Sequence, residues 1–278
     1  MNSKKVVLIS GASAGMGRET AIFLEKNGFI VYAGSRTPEK LNDIKNTNLI
    51  PINLDITKQS NIKTAIEQIK KEHTSVDILI NNAGYGLVST IEDFNEDEMF
   101  NQFNINVFGL LRLTKEIIPL MRKQNSGIII NISSFLGKIG LPLLTLYNSS
   151  KYAVEGVTDS LRYELAPFNI RVHSIMPGFF NTQFAKENLV TNLNTFDEHS
   201  PYKKMVSNLA PMIVEQINKG NDPKEVALMI LEIIENKNFK ARATIGEKAK
   251  KFLPMKKELS DEDFERRVKE YYQIDNLG

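Results

Sequence analysis

The N-terminal stretch constrains this chain most: an apolar strand, a glycine-rich turn and a helix follow one another without interruption. Lys5-Val6-Val7-Leu8-Ile9 is too short for a helix and rich in β-branched residues, so it reads as a buried parallel strand. Ser10-Gly11-Ala12-Ser13-Ala14-Gly15-Met16-Gly17 follows. The next segment, Arg18 to Gly28, has apolar Ala21, Phe23 and Leu24 at helical spacing and Gly28 as a C-terminal stop. Glycines let backbone N–H groups approach a phosphate, and the helix N-terminus faces the negative charge. Gly11, Ser13, Ala14, Gly15, Met16 and Gly17 are therefore read as a pyrophosphate cradle. Tight turns use glycine for their own reasons, so the spacing acquires meaning only from the strand before it and the helix after it.

The rest of the chain repeats the alternation. Strands are expected at 29–34, 49–54, 76–80, 127–132 and 170–175, with a short seventh around Thr244-Ile245. Ile62, Ala65, Ile66 and Ile69 form a helical apolar stripe, and two long helices are expected at about 95–123 and 147–166. Alternating strands and helices imply an α/β chain: a doubly wound parallel sheet of about seven strands with helices on both faces. No linker, low-complexity tract or composition break divides it, so one domain is expected over 1–278.

A second signal is chemical. Tyr147 and Lys151 stand four residues apart, on one face of a helix, and Ser134 precedes Tyr147 by thirteen positions. A free phenol has a pKa near ~10, and a fixed positive charge beside it favours the phenolate and brings that value down. A hydroxyl such as Ser134 would hold a substrate oxygen next to it. Such a set moves a proton to or from an alcohol or carbonyl but carries no hydride. Ser133 competes with Ser134 for this role on residue type alone.

Together these residues resemble the short-chain dehydrogenase/reductase family, whose turn is T-G-x-x-x-G-x-G and whose active site is S…Y-x-x-x-K. Ser10 to Gly17 match the turn, with serine for the usual threonine, and Ser134, Tyr147 and Lys151 match the site. Asn81-Asn82-Ala83-Gly84, Asn106, Asn131-Ile132-Ser133-Ser134, Pro177-Gly178 and Thr182 follow in the family's order. The resemblance implies a single-domain Rossmann fold and an oxidoreductase in which Tyr147 is the general acid/base. By the same resemblance Ser134 binds the substrate oxygen, and Lys151 lowers the tyrosine pKa and holds the nicotinamide ribose. Asn106 would hold a water linking Lys151 to solvent. Asp55 and Ile56 would flank the adenine, although Asp55 also reads as a helix N-cap before Lys58. Asn82, Ala83 and Gly84 would line the cofactor, with Pro177, Gly178 and Thr182 bordering the nicotinamide. The thirteen-residue spacing matches the family and decides for Ser134 over Ser133.

The cofactor is read near the end of the second strand. An NAD site places Asp or Glu about ~20 residues beyond the glycines to bind ribose hydroxyls. Tyr32-Ala33-Gly34-Ser35-Arg36 has no acid there, and Arg36 is able to pair with a 2′-phosphate through its fork of donors. NADP(H) is expected, with NAD(H) as the alternative; the plainer reading of Arg36 is a solvated charge.

Residues 179–221, rich in apolar side chains such as Phe179, Phe180, Phe184 and Leu189, fall where such folds carry a lid over the active site. They would close over a lipophilic alcohol or ketone, or pack on their own helices. The Val31–Arg36 segment and the length beyond the last strand look like the hydroxysteroid and retinol dehydrogenase branch. A 3-oxoacyl-carrier-protein reductase is the alternative enzyme, against which the charged extension 248–278 argues. A non-catalytic dinucleotide sensor is the alternative outside enzymes, and such proteins lose the Tyr or Lys that this chain keeps.

Charge and cysteine usage exclude other classes. With 35 basic and 33 acidic residues, net +2, the chain is no dedicated nucleic-acid or anionic-membrane binder. It has no cysteine, which removes disulfides, zinc thiolates and cysteine nucleophiles and fits a reducing, cytoplasmic setting. The three histidines make no ligand pair, so no metal is expected. No signal peptide and no membrane span of ~20 apolar residues is expected. The resemblance also implies a homodimer or homotetramer through the two long helices, with Met99, Phe103, Val107, Leu110, Val154, Val157 and Leu161 as their apolar positions.

Overall fold

The computed structural model describes residues 4–182 and 189–274 of the chain. The expected strands form: β1 (Val6–Ser10), β2 (Ile30–Ser35), β3 (Leu49–Asn53) and β4 (Ile78–Asn81). A short β5 (Gly86–Val88) follows, then β6 (Gly127–Ile132), β7 (Ile170–Pro177), another short strand β8 (Leu189–Thr191), and β9 (Arg242–Ile245). Seven of them make one sheet in the order β3-β2-β1-β4-β6-β7-β9, with every pairing parallel.

Helices cover both faces, and the strand period of two assigns the residues. Val7 and Ile9 of β1 and Val31 and Ala33 of β2 face α1 (Gly15–Lys26) and a later helix, Lys224–Glu235. Val6, Leu8 and Tyr32 face the other way. There they meet α2 (Gln59–Glu72), with its stripe Ile62, Ala65, Ile66 and Ile69, and Leu113, Ile117 and Met121 further along the chain. α1 ends as expected: Gly28 takes φ +89°, its N–H donates to Glu25 O at 3.0 Å, and Phe29 N–H donates to Leu24 O at 3.2 Å.

The long helix expected at 95–123 is interrupted. α3 (Glu96–Phe103) starts at a capping box of Asn95 and Glu98, one turn of π-helix spans Asn104–Gly109, and α4 (Leu110–Lys123) completes it. Asn106 sits inside the π turn, where the widened helix turns its amide toward the backbone of Tyr85. α5 (Thr145–Leu165) begins two residues earlier than expected.

One feature was not foreseen in the sequence. β5 and β8 pair parallel as a separate two-stranded sheet. The region 179–221 contains β8 and α6 (Lys203–Asn218); Phe184 lies outside the described residues. After α7 (Lys224–Glu235) and β9, the charged extension folds as α8 (Glu247–Glu258) and α9 (Asp261–Tyr272). Their apolar face, Phe252, Phe264, Val268 and Tyr272, packs on Leu136, Leu144 and α6.

The apolar positions expected on the two long helices divide between core and surface. Val107, Leu110, Val154 and Leu161 are buried in the core, because the sheet takes the strongest apolar stripe first. The outward apolar residues are Met99, Phe100, Phe108, Leu111, Tyr152 and Tyr163.

Candidate active site

The chain runs from β1 outward to β3, then crosses to β4 and proceeds the other way, so a crevice opens beyond the C-terminal ends of β1 and β4. Ser10, at the end of β1, ties this point together. Its hydroxyl accepts from the backbone N–H of Asn82 (3.1 Å) and Ala83 (3.2 Å). Asn82 returns the link, donating from Nδ2 to Ser10 O at 3.1 Å and Gly11 O at 2.9 Å. The departure from threonine therefore retains the hydroxyl that the junction uses.

The glycine turn lies inside this clamp. Gly11 has φ +68°, and a Cβ there would sit 2.7 Å from Ala83 Cα. A Cβ on Gly17 would collide with Asn82 Nδ2 and Gly11 O, and one on Gly15 would press on Thr182 at 3.2 Å. Ala14, the N-cap of α1, gives no side-chain cap and the first turn holds no acid, so its leading N–H groups face the crevice without a competing carboxylate.

A cleft of about 930 Å³ runs from this turn to α5. Gly11, Ser13, Ala14, Gly15, Met16, Asn82, Ala83, Gly84 and Thr182 line its middle; Gly17 lies behind the surface as packing. Ser35, Arg36, Thr37, Lys40, Asp55 and Ile56 line the end beyond β2, and Arg36 is exposed there. Asp55 is not the cap of α2, whose N-cap is Lys58. Its carboxylate instead accepts from Thr57 N (3.0 Å) and Thr57 Oγ1 (2.6 Å) in a tight turn. Burial works against that charge, but the Thr57 bonds, Lys58 and Arg36 outweigh it and hold the carboxyl below its usual range.

Tyr147 and Lys151 close the other end of the cleft. Ser134, which ends the segment after β6, hydrogen-bonds the Tyr147 hydroxyl and also accepts from Leu136 N at 3.1 Å. The Ser133 hydroxyl is buried and has no hydrogen-bond partner. Lys151 is buried; its Nζ donates to Ile132 O at 2.9 Å and stands 5.7 Å from the centre of the Tyr147 ring. The expected lowering of the tyrosine pKa is absent in this state. Desolvation pushes Tyr147 up to about 12 against the opposing Ser134 bond, and desolvation brings Lys151 down to about 8 against the pull of Glu155. Burial outweighs the Ser134 bond here, so Tyr147 stands as a protonated acid.

Asn106 does not line the cleft. Its Oδ1 accepts from Tyr85 N (3.0 Å), and its Nδ2 donates to Tyr85 O (2.9 Å) and Ser150 Oγ (3.0 Å). It lies next to Lys151 all the same, since a Cβ on Gly84 would meet Asn106 Oδ1 at 3.2 Å and Lys151 Nζ at 3.7 Å. Gln102 was not singled out from sequence. It is fully buried, donates to Tyr85 O at 2.7 Å and accepts from Leu87 N at 2.8 Å, so two side chains fix the strand that walls the cleft.

A smaller apolar cavity adjoins the cleft at Tyr147, Ser133, Met16 and Thr182. Ser134, Leu136, Leu144, Pro177, Gly178, Phe179, Leu189, Ile213 and Ile217 line it. Among the described residues no helix is long and apolar enough to cross a membrane, and no group of His, Asp or Glu is placed to hold a metal.

Known proteins match this arrangement. The family model described as short chain dehydrogenase matches residues 5–192. A 3-ketodihydrosphingosine reductase of Bacteroides thetaiotaomicron is 36% identical over 242 residues, covering 87% of this chain and 88% of its own. A solved short-chain dehydrogenase from Streptomyces avermitilis has a TM-score of 0.83 at 30% identity, with 99% of this chain and 98% of that one covered. ElxO with NADP bound has a TM-score of 0.70 at 27% identity, covering 87% and 97%. A 3-ketoacyl-(acyl-carrier-protein) reductase from Brucella melitensis complexed with NADH has 0.72 at 25%, covering 86% and 95%. From the glycine turn to the sheet order, the chain belongs to the short-chain dehydrogenase family and is an oxidoreductase of that family.

Proposed function

We propose that this oxidoreductase reduces a lipophilic ketone or aldehyde to its alcohol with NADPH, and runs in reverse with NADP. The observation that carries this reading is the position of Tyr147, whose side chain belongs both to the long cleft and to the apolar cavity beside it. The cleft suits a dinucleotide: the glycine turn leaves room where a Cβ would collide, and the α1 N-terminus carries no competing acid. Gly11 to Gly17 would hold the diphosphate, Asp55 and Ile56 the adenine, and Asn82 to Gly84 the middle. Pro177, Gly178 and Thr182 would border the nicotinamide. Arg36 would pair with the 2′-phosphate, since no carboxylate stands at the end of β2 to repel it. The ElxO structure holds NADP and the Brucella one NADH, so the preference rests on Arg36.

When bound, the nicotinamide supplies the hydride. The protein's share is the proton and the electrostatics. Tyr147, protonated and joined to Ser134, donates to the carbonyl oxygen as negative charge grows on it. Ser134 holds that oxygen, and the Lys151 ammonium favours the phenolate left behind. Asn106 stands beside Lys151 and fixes the Tyr85 backbone.

The adjoining cavity is lined by Leu136, Leu144, Phe179, Leu189, Ile213 and Ile217, which suits an aliphatic chain. A relative that reduces a 3-ketodihydrosphingosine agrees with that choice more directly than the hydroxysteroid and retinol branch does. A 3-oxoacyl-carrier-protein reductase is the second reading; α8 and α9, packed over the 136–144 segment, argue against a bulky carrier. The test follows NADPH oxidation with long-chain 3-keto amines and with acetoacetyl thioesters. Tyr147→Phe should lower kcat by roughly 10²–10⁴-fold while NADPH binding changes little, since one donor is lost and the packing kept. Retained turnover in that variant would overturn the mechanism.

A further inference from the structure

Glu155 lies one helical turn beyond Lys151 on the same face of α5 and is 1% exposed. Carboxylates are almost never buried this deeply unless paired. Its Oε2 accepts from Arg242 Nε at 2.6 Å, and Lys138 Nζ stands 3.8 Å away. Its Oε1 has no hydrogen-bond partner. Arg242 reaches in from β9 and holds Asp159, a further turn along α5, at 2.6 Å with its other arm. The turn that follows Ser134 is pressed onto the same spot. A Cβ on Gly137 would lie 2.9 Å from Lys151 O, 2.9 Å from Ser133 Oγ and 3.1 Å from Glu155 Cγ.

We propose that Glu155 is a positioning residue for the reaction: its buried carboxylate, fixed by Arg242 and Asp159, supplies the negative charge on the face of α5 that carries the Lys151 ammonium. The inference rests on the reading of Lys151 as the cation that serves Tyr147. A role in joining α5 to β9 needs only the Arg242 contact. It leaves unexplained a second carboxylate oxygen without a partner, buried on the helix face that carries Lys151. Burial draws the Lys151 ammonium down, and the Glu155 charge is what opposes it. The charged groups around this carboxylate are Lys151 and Asp159 from α5, Arg242 from β9 and Lys138 from the turn after β6. Tyr147, which accepts the benefit, lies one turn before Lys151.

The test reads Lys151 directly in the full chain without cofactor. Protein is labelled with ¹³C at lysine Cε, and the Lys151 signal is assigned by its loss in Lys151→Arg. Glu155→Gln keeps the shape and removes the charge, so the Lys151 titration should move to lower pH by about one unit or more, a tenfold weaker hold on its proton. The alkaline fall of kcat should move by the same amount with KM little changed. Glu155→Asp should restore most of both shifts, which a packing role would not produce. If Glu155→Gln does not fold, Arg242→Gln removes the cation that screens the same carboxylate from a partly exposed position, and the Lys151 titration should then move to higher pH. An unmoved Lys151 titration in a folded variant overturns the proposal and leaves the Tyr147 reading standing. Turnover by Tyr147→Phe would overturn that reading without altering the titration.

Discussion

Gly17→Ala sets two effects of opposite sign against each other. Gly17 lies in the first turn of α1, where alanine in place of glycine gains about 1 kcal/mol of helix propensity. Against this, the new methyl would occupy the space held by Asn82 Nδ2 and Gly11 O. The amide would have to leave, giving up its bonds to Ser10 O and Gly11 O at 3.1 and 2.9 Å. Each such bond contributes about 0.5–1.5 kcal/mol. Gly11 O is backbone and yields only with the turn, an overpacking cost of about 1–3 kcal/mol. The clash wins, with net destabilisation of about 1–5 kcal/mol, or roughly 2–20 °C in melting temperature. The turn would also no longer present its N–H groups as before. Losing one bond to a charged phosphate, about 1.5–3 kcal/mol, weakens NADPH by roughly ten- to a hundredfold. Urea denaturation and a fluorescence titration measure the two effects separately. Gly28→Ala is the control: its φ of +89° strains an alanine, but nothing lies within 4 Å of the new methyl. It should cost about 1 kcal/mol and leave NADPH binding unchanged. A Gly17→Ala protein as stable as the wild type would refute the account of the Asn82 clamp.

Two further expectations follow from the same geometry. The exposed apolar face of Phe100, Phe108, Leu111, Tyr152 and Tyr163 is expected to pair two copies into a homodimer. Sedimentation should show the wild type as a dimer or tetramer and Phe100→Asp/Phe108→Asp as a monomer, and a monomeric wild type would remove the assignment. Lys151 is held down to about 8 by burial, so its ammonium is lost as pH rises through that value. The reductase rate should therefore fall above about pH 8, and a rate constant to pH 10 would contradict the role given to this lysine.

Local sequence carried much of this protein. The glycine turn, the apolar strands and the Tyr147–Lys151 spacing are short-range patterns, and the backbone period places each on its face. What sequence did not reveal depends on partners far along the chain. Arg242 meets Glu155 across 87 positions, and neither residue announces a buried pair. Gln102 reads as one polar residue in an acidic helix until Tyr85 and Leu87 are brought against it. The raised tyrosine pKa is hidden for a similar reason. A neighbouring cation is visible in the spacing, whereas the desolvation that raises Tyr147 arises only when α5 packs under the 133–137 segment. Which apolar positions of the two long helices stay outside was not legible either, because periodicity alone does not say which of two apolar stripes the sheet will take.

The central claim is a dinucleotide site that prefers the 2′-phosphate. It is tested most directly by titrating NADPH and NADH into the wild type and into Arg36→Asp, read by nucleotide fluorescence. NADPH should bind the wild type at least about tenfold more tightly than NADH, and Arg36→Asp should erase or reverse that ratio with NADH little changed. Equal loss of both nucleotides in Arg36→Asp would contradict the assignment of the phosphate to Arg36. Binding of neither to the wild type would contradict the site itself.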